Sequence, residues 1–184
     1  GFELTEHPFS EHAEFRRIAD LPPDQLLAEL RRPEVRARML AQNVQEAFAA
    51  RNTTWEQVYP LGDRPLNYEP TREQSIAALA RASGQSPEAC AYDAMLAHGG
   101  RGLLLRTLSN YAYGNLDAAG EMMAHPHTIF GLGDGGAHVG QIADSSALAF
   151  LLSYWTRDRT RGRRFDFPWA VKRATRDNAL ALGL

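Results

Sequence analysis

Apolar side chains recur at helical spacing through the first fifty residues, with charged residues filling most positions between them. EHAEFRRIADL reads as one helix, stopped at Pro22-Pro23-Asp24, where a second can start. Leu26, Leu27 and Leu30 give that second helix an apolar face. Pro33 suits the first turn of a longer helix running through Arg51, with Val35, Met39, Leu40, Val44 and Phe48 near the i, i+4 repeat. Arginines crowd the stretch from Arg31 to Arg38, but Glu29 and Glu34 interleave them, so a solvated face is expected rather than a phosphate site.

The pattern then changes. TTWEQVYPLG is a β-rich run closed by Pro60 and Gly62. Thr71-Arg-Glu-Gln74 is a capping-box pattern expected to open the helix SIAALARAS, which ends near Gly84. Ser86-Pro87-Glu88 starts another helix, which stops at Gly99-Gly100. GLLLRTL (102–108) and TIFGLG (128–133) are short apolar runs bounded by glycine and are expected to be buried strands. Between them lies a helix capped by Asn115 or Asp117 and ended by Pro126. A further helix is expected from about Ser145 to Trp155, and a last one over PWAVKRATRDNALALGL. Helices alternating with apolar strands predict an α/β chain with parallel strands, but about three strands against about eight helices are too few for a self-contained sheet.

Composition narrows the reading. With 22 acids against 20 bases and a net charge of −2, the chain lacks the basic surface that nucleic acid requires. No window approaches the ~18 consecutive apolar residues of a membrane span, and GFELTEHPFS is not a signal peptide, so neither a membrane nor a secretory route is expected. Cys90 is the sole cysteine; its apolar surroundings make it a small core residue, and the absence of a disulfide suits a reducing cytoplasm. The 184 residues suit one domain or a large piece of a bigger one, and a start at Gly1 without Met points to an excised or incomplete chain.

The densest chemistry lies in HPHTIFGLGDGGAHVG (125–140). Asp134 sits at the C-terminal end of an expected strand, where α/β folds place ligands, and two glycines after it leave its carboxylate uncovered. A carboxylate there can bind a divalent metal or take a proton, or it can cap its own turn. His138, in the same loop, can orient Asp134, contact substrate or satisfy a loop carbonyl. His125-Pro126-His127 lies at the opposite end of that strand, so a metal shared with Asp134 is not expected. Asn110 and Tyr111, with Gly114 and Asn115, follow GLLLRTL and can contact a substrate carbonyl or carboxylate; helix capping by Asn115 and core packing by Tyr111 explain them equally well. His7 and His12 are expected to be exposed loop histidines. Arg157, Arg159, Arg161, Arg163 and Arg164 are expected to form a solvated loop.

At these residues the sequence resembles the N-acyl-D-amino-acid deacylase (D-aminoacylase) family of the amidohydrolase superfamily. The matching stretches are GGRGLLLRTLSNYAYGNLDAAGEMMAHPHTIFGLGDGGAHVG and WTRDRTRGRRFDFPWAVKRATRDNALALGL, with GFELTEHPF and SIAALARASGQSPEACAYDAML looking alike more weakly. The resemblance implies a metal-dependent (β/α)8 barrel in which zinc activates water and an aspartate ending the eighth strand, matched here by Asp134, is general base and part of the metal site. It implies hydrolysis of the amide of N-acyl-D-amino acids or related compounds. A first-strand HxH and the remaining metal ligands are then expected upstream of Gly1, since HPH at 125–127 directly precedes the last barrel strand. A whole barrel needs ~250 residues. Residues 1–184 are therefore expected to be the C-terminal portion of such a barrel, with 1–52 a helical inserted region and 53–184 the last strands and helices, inactive in isolation. Any assembly is expected to be a homo-oligomer. The competing readings are a non-catalytic helical α/β interaction module and a cyclic-amidase or dipeptidase-like amidohydrolase.

Overall fold

The computed structural model describes residues 2, 7–41, 53–62, 65–131 and 146–184. The chain is helix-rich α/β and divides into two compact units, Gly1–Ser109 and Asn110–Leu184.

The first unit opens with three helices, α1 (Ala13–Arg16), α2 (Pro23–Leu30) and α3 (Pro33–Ala41). Leu26 and Leu30 of α2 and Val35 and Met39 of α3 are buried, on the spacing the sequence predicts. The arginines of this region are paired across the surface, Arg32 with Glu29 and Glu34, Arg36 with Asp93 and Arg38 with Glu14. The expectation of a charged outer face holds.

The Thr71–Gln74 box does not open the helix that follows it. It closes a separate 3-10 turn, Arg72–Gln74, and Ser75 in extended conformation (φ −66°, ψ 152°) takes over as N-cap of α4 (Ile76–Ser83), its hydroxyl accepting the Ala78 N–H at 3.2 Å. Gly84 ends α4 in the left-handed conformation, as expected. Ser86 caps α5 (Pro87–Gly100), which carries Tyr92 and Met95 into the core beside Phe9, Leu30 and Ile76. Helical geometry stops at Ala97, two residues before the expected glycine stop; His98, Gly99 and Gly100 all take positive φ. Cys90 is half-buried instead of lying in the core, with its thiol donating to Gln85 Oε1 at 3.3 Å.

Two strands follow from the apolar runs, β1 (Val58–Pro60) and β2 (Leu104–Arg106). They pair antiparallel, Tyr59 opposite Leu105, where the sequence predicted parallel strands. A run of apolar residues marks a strand but carries no information about its direction. Leu104 and Leu105 are only half-buried, and among the described residues the sheet has two strands.

The second unit contains α6 (Asp117–Ala124), α7 (Ala147–Phe150), which runs on into a π-helical stretch Leu151–Asp158, α8 (Phe167–Ala174) and α9 (Arg176–Ala181). The expected single last helix is two. Thr175 (φ −124°, ψ −80°) breaks it, its hydroxyl bonded back to the Val171 carbonyl at 2.7 Å. Asn115 acts at the start of α6 by accepting the Asp117 N–H at 3.0 Å. Aromatic contacts join the π-helical stretch to the loop and α8: Trp155 meets Phe165 at 5.7 Å, and Phe165 stacks on Trp169 at 4.1 Å. The second expected strand, 128–133, has no ladder partner over its described residues Thr128–Gly131, and Leu132 and Gly133 lie outside the described residues. Ile129 is 53% exposed, so the segment is not buried as expected.

Candidate functional site

Asp134 and His138, the strongest candidates from sequence, lie outside the described residues. The structure does describe the approach to Asp134. α6 ends at Ala124, the HPH triplet turns the chain, and Thr128–Gly131 follows without regular secondary structure. His125 Nδ1 accepts the His127 N–H at 3.2 Å, and the two rings meet edge to face with centroids 5.3 Å apart. That nitrogen is therefore engaged in closing the turn.

Two side chains from the last helices hold this approach. Arg173 of α8 donates through Nη2 to the carbonyls of Met123, His125 and Thr128 at 3.1, 3.1 and 2.6 Å, and through Nη1 to Asp177 Oδ2 at 3.3 Å. Thr128 Oγ1 adds bonds to the Met122 and His125 carbonyls. Asn178 of α9 accepts the Phe130 N–H at 3.2 Å and donates to the Phe130 carbonyl at 2.9 Å. Neither Arg173 nor Asn178 was singled out in the sequence. A helix-disfavouring Asn inside an Ala- and Leu-rich helical run was the available signal.

Asn110 begins the second unit in the left-handed region (φ +62°) and is exposed, whereas Tyr111 is buried. The two side chains thus differ in access to solvent, and a buried Tyr111 matches the packing reading at least as well as the substrate reading. In the arginine-rich loop Arg157, Arg163 and Arg164 are exposed, as a solvated loop requires, and Arg159 is the exception. The Arg159 side chain is fully buried, pairs with Asp117 at 2.7 Å, donates to the Arg163 carbonyl at 2.6 Å and lies 4.6 Å from the Trp155 ring centre. Arg157 pairs with Asp158, and Arg164 donates to the Arg157 carbonyl.

His7 and His12 are likewise not exposed; they are buried in the first unit. His7 Nδ1 accepts the Phe9 N–H and His12 Nδ1 accepts the Glu14 N–H, which leaves each ring's proton on Nε2; among the described residues that of His7 meets no acceptor, while a Met39 backbone group acts on His12. The His7 ring meets Phe15 edge to face, centroids 4.4 Å apart. Burial pulls the His7 pKa down to about 4 and lowers that of His12. With the lone pairs taken by backbone amides, these histidines are packing groups.

Among the described residues no three His, Cys, Asp or Glu side chains converge where they could hold a metal ion, and no helix is long and apolar enough to cross a membrane. An open depression of about 450 Å³ lies beside Trp169, Lys172, Arg173 and Leu180 in the second unit, and another of about 510 Å³ beside Phe15, Leu26, Leu27 and Gly100 in the first. Neither contains Asn110 or Tyr111. The chain matches no family model, no curated protein and no solved structure closely enough to identify a family.

Proposed function

We propose that the chain is the closing part of a zinc-dependent amidohydrolase barrel, acting on the amide of N-acyl-D-amino acids or related compounds, with Asp134 as general base. The sequence block from Gly99 to Gly140 motivates the reading. One structural observation supports it best: Arg173 and Asn178 hold the backbone of Thr128 and Phe130 by hydrogen bonds, a few residues upstream in sequence of a carboxylate followed by two glycines. A carboxylate at the end of such a segment is where α/β hydrolytic sites carry their acid–base groups.

Among the described residues no side chains converge to hold a zinc ion. The steps belong to this chain's side chains. Asp134 takes a proton from the attacking water as the new C–O bond forms at the amide carbonyl. It returns that proton to the amine nitrogen as the C–N bond breaks. Asn110, Tyr111 and His138 contact the substrate's carbonyl and carboxylate.

The test is expression of the complete reading frame that encodes these residues, with N-acetyl-D-amino acids as substrates. Amine release should be lost on chelation and in Asp134→Asn, while the circular dichroism of that variant is unchanged. Equal turnover by Asp134→Asn, or a frame that encodes no HxH, overturns the reading. The 184 residues alone should turn nothing over; zinc-dependent turnover by them overturns that part.

A further inference from the structure

We propose that the loop 157–164 is a binding site for a phosphate-type dianion, held by the guanidinium forks of Arg163 and Arg164.

Five arginines and one acid lie in these eight residues, and they are used differently. Arg159 turns inward and is buried. Arg157 is neutralised by Asp158, which it meets through Nε at 2.6 Å and Nη2 at 2.8 Å. Arg163 and Arg164 are exposed, and neither has a carboxylate partner among the described residues; Asp166, just beyond them, pairs with neither.

Neighbouring cations elsewhere are not left this way. Arg16 and Arg17 pair with Glu11 and Glu14, Arg32 beside Arg31 pairs with Glu29 and Glu34, and Lys172 and Arg173 share Asp177. Among the described residues Arg163-Arg164 is the one adjacent pair in which both cations lack an acid. Their mutual repulsion is a standing cost that a bound dianion would remove.

The donors are also held ready. The Arg163 guanidinium lies over the Phe165 ring, 5.2 Å from its centre, an arrangement that occupies its face and leaves its in-plane N–H groups for a ligand. Arg164 spends one donor, Nη1, on the Arg157 carbonyl at 3.1 Å. The backbone is fixed on both sides of the pair: the Arg163 carbonyl accepts from Arg159 at 2.6 Å, and the Phe165 N–H donates to the Trp155 carbonyl at 2.9 Å. Gly162 (φ +70°) sits so close to Asp117 that an added Cβ would overlap its Oδ1. A loop braced in this way loses little conformational freedom on binding.

The planar fork of arginine matches two oxygens of a phosphate group. The cations are confined to eight residues of a chain with net charge −2, a footprint for one phosphoryl group and not for an extended polyanion. Inorganic phosphate and a phosphate monoester present the same chemistry.

The test is calorimetric titration of the 184-residue chain with inorganic phosphate and with methyl phosphate, at constant ionic strength in chloride. Saturable binding is expected, with a Kd of about 1 mM or lower. R163Q/R164Q should weaken it about tenfold or more, and Arg31→Gln, which removes an isolated exposed arginine, should leave it unchanged. R163K/R164K keeps both charges without the forks and should bind about threefold more weakly or worse. Tighter binding of methyl phosphate supports an ester as the natural ligand, and tighter binding of inorganic phosphate supports the free ion. No saturation by either below about 10 mM overturns the site, as does an unchanged Kd in R163Q/R164Q. Wild-type affinity in R163K/R164K overturns the forked recognition, and decides the matter if the glutamine variant does not fold. Saturable binding of poly-glutamate in place of both phosphates overturns the phosphate site in favour of an acidic protein segment.

Discussion

The Tyr92 hydroxyl donates to the carbonyl of Leu30 at 2.7 Å, tying α5 to the C-terminal end of α2 across 62 residues of sequence. Tyr92 is wholly buried, and burial pushes its pKa up to about 12. Tyr92→Phe keeps the ring against Phe2 and Phe9 but leaves a buried helix-end carbonyl unsatisfied. The expected loss is about 1–2 kcal/mol, read as a lower denaturant midpoint with an unchanged slope.

His7 makes stability depend on pH. Its folded pKa, about 4, lies below the ordinary value of 6.5, so the unfolded chain binds the proton more readily. The contribution is fully present above pH 6.5, declines as pH falls, and is lost by pH 4, a change of about 3 kcal/mol. His12, also lowered by burial, acts in the same direction. His7→Phe should flatten urea midpoints measured between pH 7.5 and 4.5. A variant as acid-sensitive as wild type would show that other groups govern the transition.

Arg159 is the structural centre of its loop and not a receptor for substrate carboxylate. Arg159→Met removes the bonds to Asp117 and Arg163 while retaining an apolar stem against Trp155. Asp117, however, is half exposed and keeps its hydration. A loss of about 1–3 kcal/mol is expected, with the melting temperature lowered by several degrees. If the complete reading frame encodes the proposed hydrolase, turnover by its folded fraction should keep its KM, and a KM raised tenfold would restore the substrate reading.

Gly102 allows the chain to double back on α5. Its amide donates to the Ala97 carbonyl at 3.0 Å, and a Cβ added there would overlap the backbone oxygen of Ala94. Backbone cannot yield as a side chain tip can, so Gly102→Ala should cost about 3 kcal/mol or more by calorimetry. Gly84→Ala meets open space and should cost only the strain of a left-handed alanine, about 1 kcal/mol.

Much of the helical layout was legible because its signals are local. Pro23, Ser86-Pro87 and Gly84 mark helix ends by backbone chemistry that needs no tertiary partner, and the buried faces of α2 and α3 follow from spacing alone. The misreadings share a cause. His7 and His12 looked exposed because their neighbours in sequence are acidic, yet Phe2 and Phe15 enclose His7 in space. Arg159 finds Asp117 at a separation of 42 residues, and the pairing of Tyr59 with Leu105 spans still more. Of the candidate site, Asp134 was visible as an acid before two glycines. The side chains that hold the segment leading to it were not, since they lie some 45 residues downstream in what reads as an ordinary amphipathic helix.

Arg173 and Asn178 grip the chain at Thr128 and Phe130, points two residues apart. Their own spacing is five residues across the break at Thr175. The two intervals are matched like the marks of a ruler. Adding or removing one residue between Thr128 and Phe130 would turn the second backbone pair away from the amide, and straightening α8 and α9 into one helix would carry the amide away from the backbone. Length variation in this part of the molecule is therefore forbidden inside the gauge, and the break at Thr175 becomes a dimension that must be kept.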